Sequence, residues 1–204
     1  MLDQAERPSG LGDWSVRDLV AHTGRSFQPA RMLSAAPPGT VPLSIARYVS
    51  AYEAAAQEIA EGTRQLAEDL ADELLAGLDA IFVAGFEVLD RFADPDDVVL
   101  ATRGPLTVRD FAMTRLFEIV VHTDDLARAV PDLPPPPTIC AAYEAVSDTF
   151  AQILAERTDQ EVRPDDHTLW IRIAAGRIPA DAADLAVALH PPFSSDITKN
   201  LPLI

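Results

Sequence analysis

Apolar residues recur at three- and four-residue spacing through most of the first 130 positions, and prolines and acidic clusters interrupt them. That period predicts helices. The first is expected over 15–34, where Leu19, Val20, Phe27 and Met32 alternate with polar residues. Ser15-Val16-Arg17-Asp18 opens it as a capping box and Pro37-Pro38-Gly39 closes it. Residues 43–75, dense in Ala, Glu and Leu, read as a second helical region that Gly62-Thr63 could divide. A third apolar face runs over 78–92 and stops at Asp94-Pro95-Asp96-Asp97. Val98-Val99-Leu100-Ala101 is too short to assign, and Arg103-Gly104-Pro105 turns the chain. Thr107-Val108-Arg109-Asp110 is a second capping box, opening a helix expected to reach about Ala129.

The run Leu133-Pro134-Pro135-Pro136-Pro137 favours a stiff, extended spacer and marks a boundary. Beyond it we expect a helix over 138–157, a strand over Thr168-Leu169-Trp170-Ile171-Arg172-Ile173, and a turn at Gly176-Arg177. Ala180 to Leu189 reads as either helix or strand, and the apolar end Leu201-Pro202-Leu203-Ile204 as tucked in. The expected fold is mostly α: a helical bundle over 1–133 and a small α+β C-terminal domain over 138–204.

Composition and charge sharpen this picture. With 204 residues, 48% of them hydrophobic, the chain can build a sizeable core. The net charge of −16 repels phosphate backbones and argues against nucleic acid as a partner. No apolar run reaches the roughly 18 residues that span a bilayer. The start, Met1-Leu2-Asp3-Gln4-Ala5-Glu6-Arg7, lacks the apolar core of a signal peptide. We therefore expect no membrane partner and a cytoplasmic location. The single cysteine, Cys140, excludes an internal disulfide, fits a reducing compartment, and sits beside alanines as a small packing residue.

The candidate chemistry lies in Arg115-Leu116-Phe117-Glu118-Ile119-Val120-Val121-His122-Thr123-Asp124-Asp125. On a helix, Glu118 and His122 share one face, a turn apart, among apolar neighbours. A divalent metal would satisfy such a pair; so would a plain ion pair. His22 supplies a third ligand if the two capped helices run antiparallel. It lies about 10 Å along its helix at ~1.5 Å per residue, against about 19–20 Å for the pair on a helix of about 35 Å. Two imidazoles and one carboxylate leave coordination positions open, as a catalytic metal requires. Asp18 also precedes a histidine by four, but Asp110 holds the same place in the other capping box with no histidine after it, so both acids read as caps. Asp125 could accept the second ring N–H of His122, and Arg115 could orient Glu118; surface ion pairs explain both equally well. His167 and His190 show no ligand spacing, Ser194-Ser195-Asp196 no nucleophile context, and no glycine-rich phosphate loop is present.

Trp14-Ser15-Val16-Arg17-Asp18-Leu19-Val20-Ala21-His22, followed about 95 residues later by Gly104 through Asp125, resembles the DinB-like metalloenzyme superfamily. More narrowly, it resembles the actinobacterial mycothiol-dependent maleylpyruvate isomerase family, over roughly residues 10–130. The tail, with Trp170-Ile171-Arg172-Ile173-Ala174-Ala175-Gly176-Arg177, is more weakly similar to that family's C-terminal domain. The resemblance implies a DinB-like four-helix bundle holding a divalent metal, often zinc, through His22, Glu118 and His122. It implies mycothiol as co-substrate, with a small electrophile as the other partner. A basic residue from the C-terminal domain is implied beside the thiol or the acid substrate, and Arg177, or else Arg172, fills that place. Isomerase and S-transferase both remain open, as does a non-catalytic metal-binding or regulatory bundle. Only about 13 residues precede Trp14, where the family has a long helix. The 43–92 region could supply the missing helix, a partner chain in a homodimer could fill the gap, or the start could be truncated.

Overall fold

The computed structural model describes residues 4–132, 134 and 139–204, the side chain of Asp72 excepted. The chain forms two compact units, residues 1–43 with 54–137, and residues 44–53 with 138–204. The proline run expected as the boundary lies, apart from Pro134, outside the described residues.

The first unit opens with α1 (Val16–Arg25). Its capping box is complete: Ser15 Oγ accepts from the Asp18 amide, and the Asp18 carboxylate accepts from the Ser15 amide at 2.9 Å. The helix ends well short of residue 34. Pro29 lacks an N–H, and its ring would meet the Arg25 carbonyl one turn back, so the chain tightens into a 3-10 turn over Gln28–Met32. The two-residue strand β1 (Ser34–Ala35) follows.

The short helix α2 (Ile45–Val49) belongs to the other unit. From residue 54 on, α3 (Tyr52–Leu70) belongs to this one, and it passes unbroken through Gly62-Thr63. Gly62 is not a helix break; its missing side chain makes room for Arg25. The division falls instead at the 3-10 turn Ala71–Glu73, ahead of α4 (Leu74–Leu89). The unassigned run at 98 is β2 (Val98–Ala101), which pairs antiparallel with both β1 and β3 (Gly104–Thr107) in the order β1-β2-β3. Thr107 caps α5 (Val108–Ala129) by accepting from the Asp110 amide.

One core joins four helices of this unit. Val16, Val20 and Ala21 of α1 meet Ala67 of α3, Leu74, Leu78 and Ile81 of α4, and Val130 at the end of α5, with Phe27 among them. Ile119 and Leu126 of α5 pack against that cluster. The 43–92 region thus supplies α3 and α4 to this core. No helix among the described residues is long and apolar enough to cross a membrane.

In the second unit α6 (Cys140–Thr158) packs on α2 and on α7 (His167–Ala174), and α7 packs on α8 (Ala182–Ala188). The strand expected over 168–173 is therefore a helix. Asp166 caps it through the Leu169 amide, and the buried set Trp170, Ile171, Ile173 and Ala174 follows a helical rather than a two-residue period. The three strands lie in the first unit, and the described part of the C-terminal unit is helical. The apolar tail is tucked in, with the Leu203 amide donating to the Ala174 carbonyl at 2.7 Å. Cys140 is exposed at the start of α6 rather than packed. His167 begins α7 half-buried against Ser147, while His190 is exposed and meets Asp165.

Candidate metal centre

Three of the side chains singled out from the sequence converge. Helix α5 brings Glu118 and His122 to one face a turn apart, and α1 brings His22 opposite them. The Glu118 Oε2 atom lies 3.3 Å from His22 Nε2 and 3.3 Å from His122 Nε2. One ligand atom from each residue lies within 4.8 Å of the others. The two imidazoles meet edge to face at 4.6 Å between centroids, and the Trp14 indole leans on His22 at 4.9 Å.

The outer hydrogen bonds fix the tautomers. Thr63 donates its hydroxyl to the Ile59 carbonyl at 2.8 Å, so its oxygen can only accept from His22 Nδ1, 3.1 Å away. Asp125 Oδ2 lies 3.0 Å from His122 Nδ1 and can only accept as a carboxylate, while its other oxygen takes a hydrogen bond from Arg128. Both imidazoles therefore carry their proton on Nδ1 when neutral and aim the bare Nε2 lone pair at Glu118.

Three acceptors facing one another in a nearly buried site could hold a cation between them. The two separations from Glu118 are longer than a charge-assisted hydrogen bond and match donors that share one ion. Charge-assisted N–H···O contacts close to about 2.7–2.9 Å. Donor atoms on a tetrahedral ion with bonds of about 2.0–2.1 Å stand roughly 3.3–3.4 Å apart. Electrostatics favours the same ligand forms. Burial raises the Glu118 carboxyl, but when His122 and His22 are protonated on Nε2 as well they donate to it and hold the group well below the ordinary carboxylate range. Burial lowers His22 from its ordinary value, and His122 adds to that while Glu118 opposes it. A carboxylate and neutral imidazole are the forms that ligate.

The remaining sequence candidates fall in various places. Arg115 is buried, hydrogen-bonds the Ser26 carbonyl and Thr114 Oγ1, and sits over the Phe111 ring. Asp18 is a helix cap. Arg177 lies on the turn after α7 in the C-terminal unit, with Nη1 donating to the Ala175 carbonyl at 2.6 Å. Two contributors escape a reading of the sequence. Thr63 is fully buried in the middle of α3, where a single hydroxyl carries no recognisable pattern. Arg25 is half-buried against Gly62, and its position three residues after His22 was the available signal. Burial lowers the Arg25 pKa from its ordinary value; Glu58 opposes this, Arg103 adds to it, and Glu118 opposes it.

Residues 2–127 match the family model described as the mycothiol maleylpyruvate isomerase N-terminal domain. The chain belongs to this family. The matched stretch holds His22, Thr63, Glu118, His122 and Asp125. No curated protein and no solved structure matches the chain.

In this member of the mycothiol maleylpyruvate isomerase family the two outer acceptors should control metal affinity. Thr63→Val leaves the His22 Nδ1–H without its acceptor, and Asp125→Ala does the same for His122. Each should weaken metal affinity about 10–100-fold, the range for such outer partners. Competition with a chelator measures it, with circular dichroism as the control for folding. Unchanged affinity in both variants would mean that these groups do not set the ligands.

Proposed function

We propose that this chain is a metal-dependent enzyme that uses a low-molecular-weight thiol, mycothiol, to isomerise or conjugate a small electrophilic substrate. The observation that carries the reading is the open His22/Glu118/His122 donor set inside the region that matches the family. Zinc suits two imidazoles and a carboxylate, and α1, α3, α4 and α5 would form the four-helix bundle that holds it. When bound there, a divalent ion supplies a positive charge that lowers a thiol's pKa and favours the nucleophilic thiolate.

The chain's own residues set the conditions. Thr63 and Asp125 hold the two Nδ1 protons, so His22 and His122 present lone pairs without turning. Arg128 anchors Asp125 from its far side. The Trp14 indole leans on the His22 ring and supports its orientation. In the isomerase reading the thiolate adds to one carbon of a cis double bond, and the electron pair moves to the other. The carbon–carbon bond, now single, rotates, and the pair returns as the thiolate leaves. In the transferase reading the sulfur stays bound, and either a proton or loss of a leaving group balances the charge. Arg177 is the cation of the C-terminal unit proposed for the acid substrate.

Metal-loaded protein incubated with mycothiol and a panel of cis-unsaturated acids and other electrophiles tests the reading. Cis–trans conversion without mass change marks an isomerase, and a thiol adduct marks a transferase. Absence of turnover across the panel would leave a non-catalytic metal-binding bundle.

A further inference from the structure

We infer that Arg25, seated on Gly62 beside His22, binds the carboxylate of a small anionic ligand at the candidate metal centre. This deepens the proposed function, on which it rests for its ligand, by naming the group that is recognised.

Arg25 follows His22 by three residues on α1, so the two side chains share a face. Both meet consecutive residues of α3: His22 bonds Thr63, and Arg25 lies on Gly62. A Cβ at position 62 would stand 2.6 Å from Arg25 Nη2 and 2.7 Å from Nε. Any side chain there would push the guanidinium away, so the glycine keeps a seat for it.

The seated guanidinium makes no hydrogen bond or ion pair with a described residue. Other arginines of this unit do: Arg17 with Glu6, Arg64 with Asp13, and Arg128 with Asp124 and Asp125. The chain has 32 acidic residues against 16 basic ones, so carboxylates are plentiful. Even so, Glu58 acts on Arg25 only through the field, and Glu118 is turned to its two imidazoles. Arg103, at the β2–β3 turn, adds a second cation to the same field. The half-buried fork has N–H groups open to a ligand, and a carboxylate satisfies two of them at once.

Calorimetric titration of the metal-loaded protein with 3-mercaptopropionate and its neutral amide, 3-mercaptopropanamide, tests this. The carboxylate should bind at least about tenfold more tightly, as expected for a charge-assisted pair. Arg25→Gln should abolish the preference, and Gly62→Ala should abolish it too by unseating the guanidinium with its charge intact. Metal content and circular dichroism should stay unchanged in both. A preference that survives in either variant overturns the inference. Propionate and propionamide titrated into metal-free protein separate this inference from the functional reading. Protein that takes up no metal yet prefers propionate only when Arg25 is present upholds the carboxylate site and removes the metal enzyme. Protein that takes up metal and thiol without a carboxylate preference does the reverse.

Discussion

Replacing His122 with alanine should abolish metal binding. Protein purified without a histidine tag should carry about one divalent ion per chain, because the three donors form one open site. His122→Ala removes one imidazole of two and leaves Glu118 and His22, a pair too sparse to compete with water or buffer. Elemental analysis should find the ion in the wild type and essentially none in the variant. A second readout guards against simple misfolding. Metal at 100 times its Kd should stabilise the wild type by about 2.7 kcal/mol through mass action, and should not move the variant's melting temperature. A wild type without metal, or a variant that retains it, would sink the metal centre.

The second large effect lies in the C-terminal unit. Trp170 is fully buried on α7, and its indole N–H donates to the Ser147 carbonyl of α6 at 3.1 Å. Trp170→Ala should cost about 3–5 kcal/mol, from lost burial and the cavity left behind. That is a large share of the 5–15 kcal/mol by which domains are typically stable. Trp170→Phe keeps most of the apolar contact and loses only the indole hydrogen bond to a Ser147 carbonyl that is still paired within α6, and should cost about 0.5–1.5 kcal/mol. Chemical denaturation followed by circular dichroism gives both values. A loss below about 1 kcal/mol for the alanine variant would mean that α6 and α7 are not held together by this residue.

The Trp170 helix also marks the limit of local reading. Thr168 to Ile173 is rich in aromatic and β-branched residues, which favours a strand in isolation. The aspartate before it and the tertiary burial of one helical face decided otherwise. The same holds for α1. Its capping box, apolar spacing and position of His22 are all local features, but its end at Arg25 depends on how Pro29 redirects the chain. The short run at 98 became a strand because β3, directly after the turn, pairs on one side of it and β1, from far earlier in the chain, on the other.

For the candidate site, the sequence by itself determined the donor types and their local register. Glu118, His122 and Asp125 succeed one another at helical spacing on α5, and His22 sits on a capped helix. Those relations depend on 3.6 residues per turn and need no tertiary contact. Only the tertiary structure decided that His22 meets the pair. It also placed Thr63, 41 residues away, against His22 Nδ1, and Gly62 beneath Arg25. Such contacts join separate helices through a shared core, and no spacing along one helix encodes which side chains of another will face it. Glu118 and His122 were a pair with two explanations while read alone. Two imidazoles with fixed protons, both aiming lone pairs at one carboxylate, made the metal the better of them.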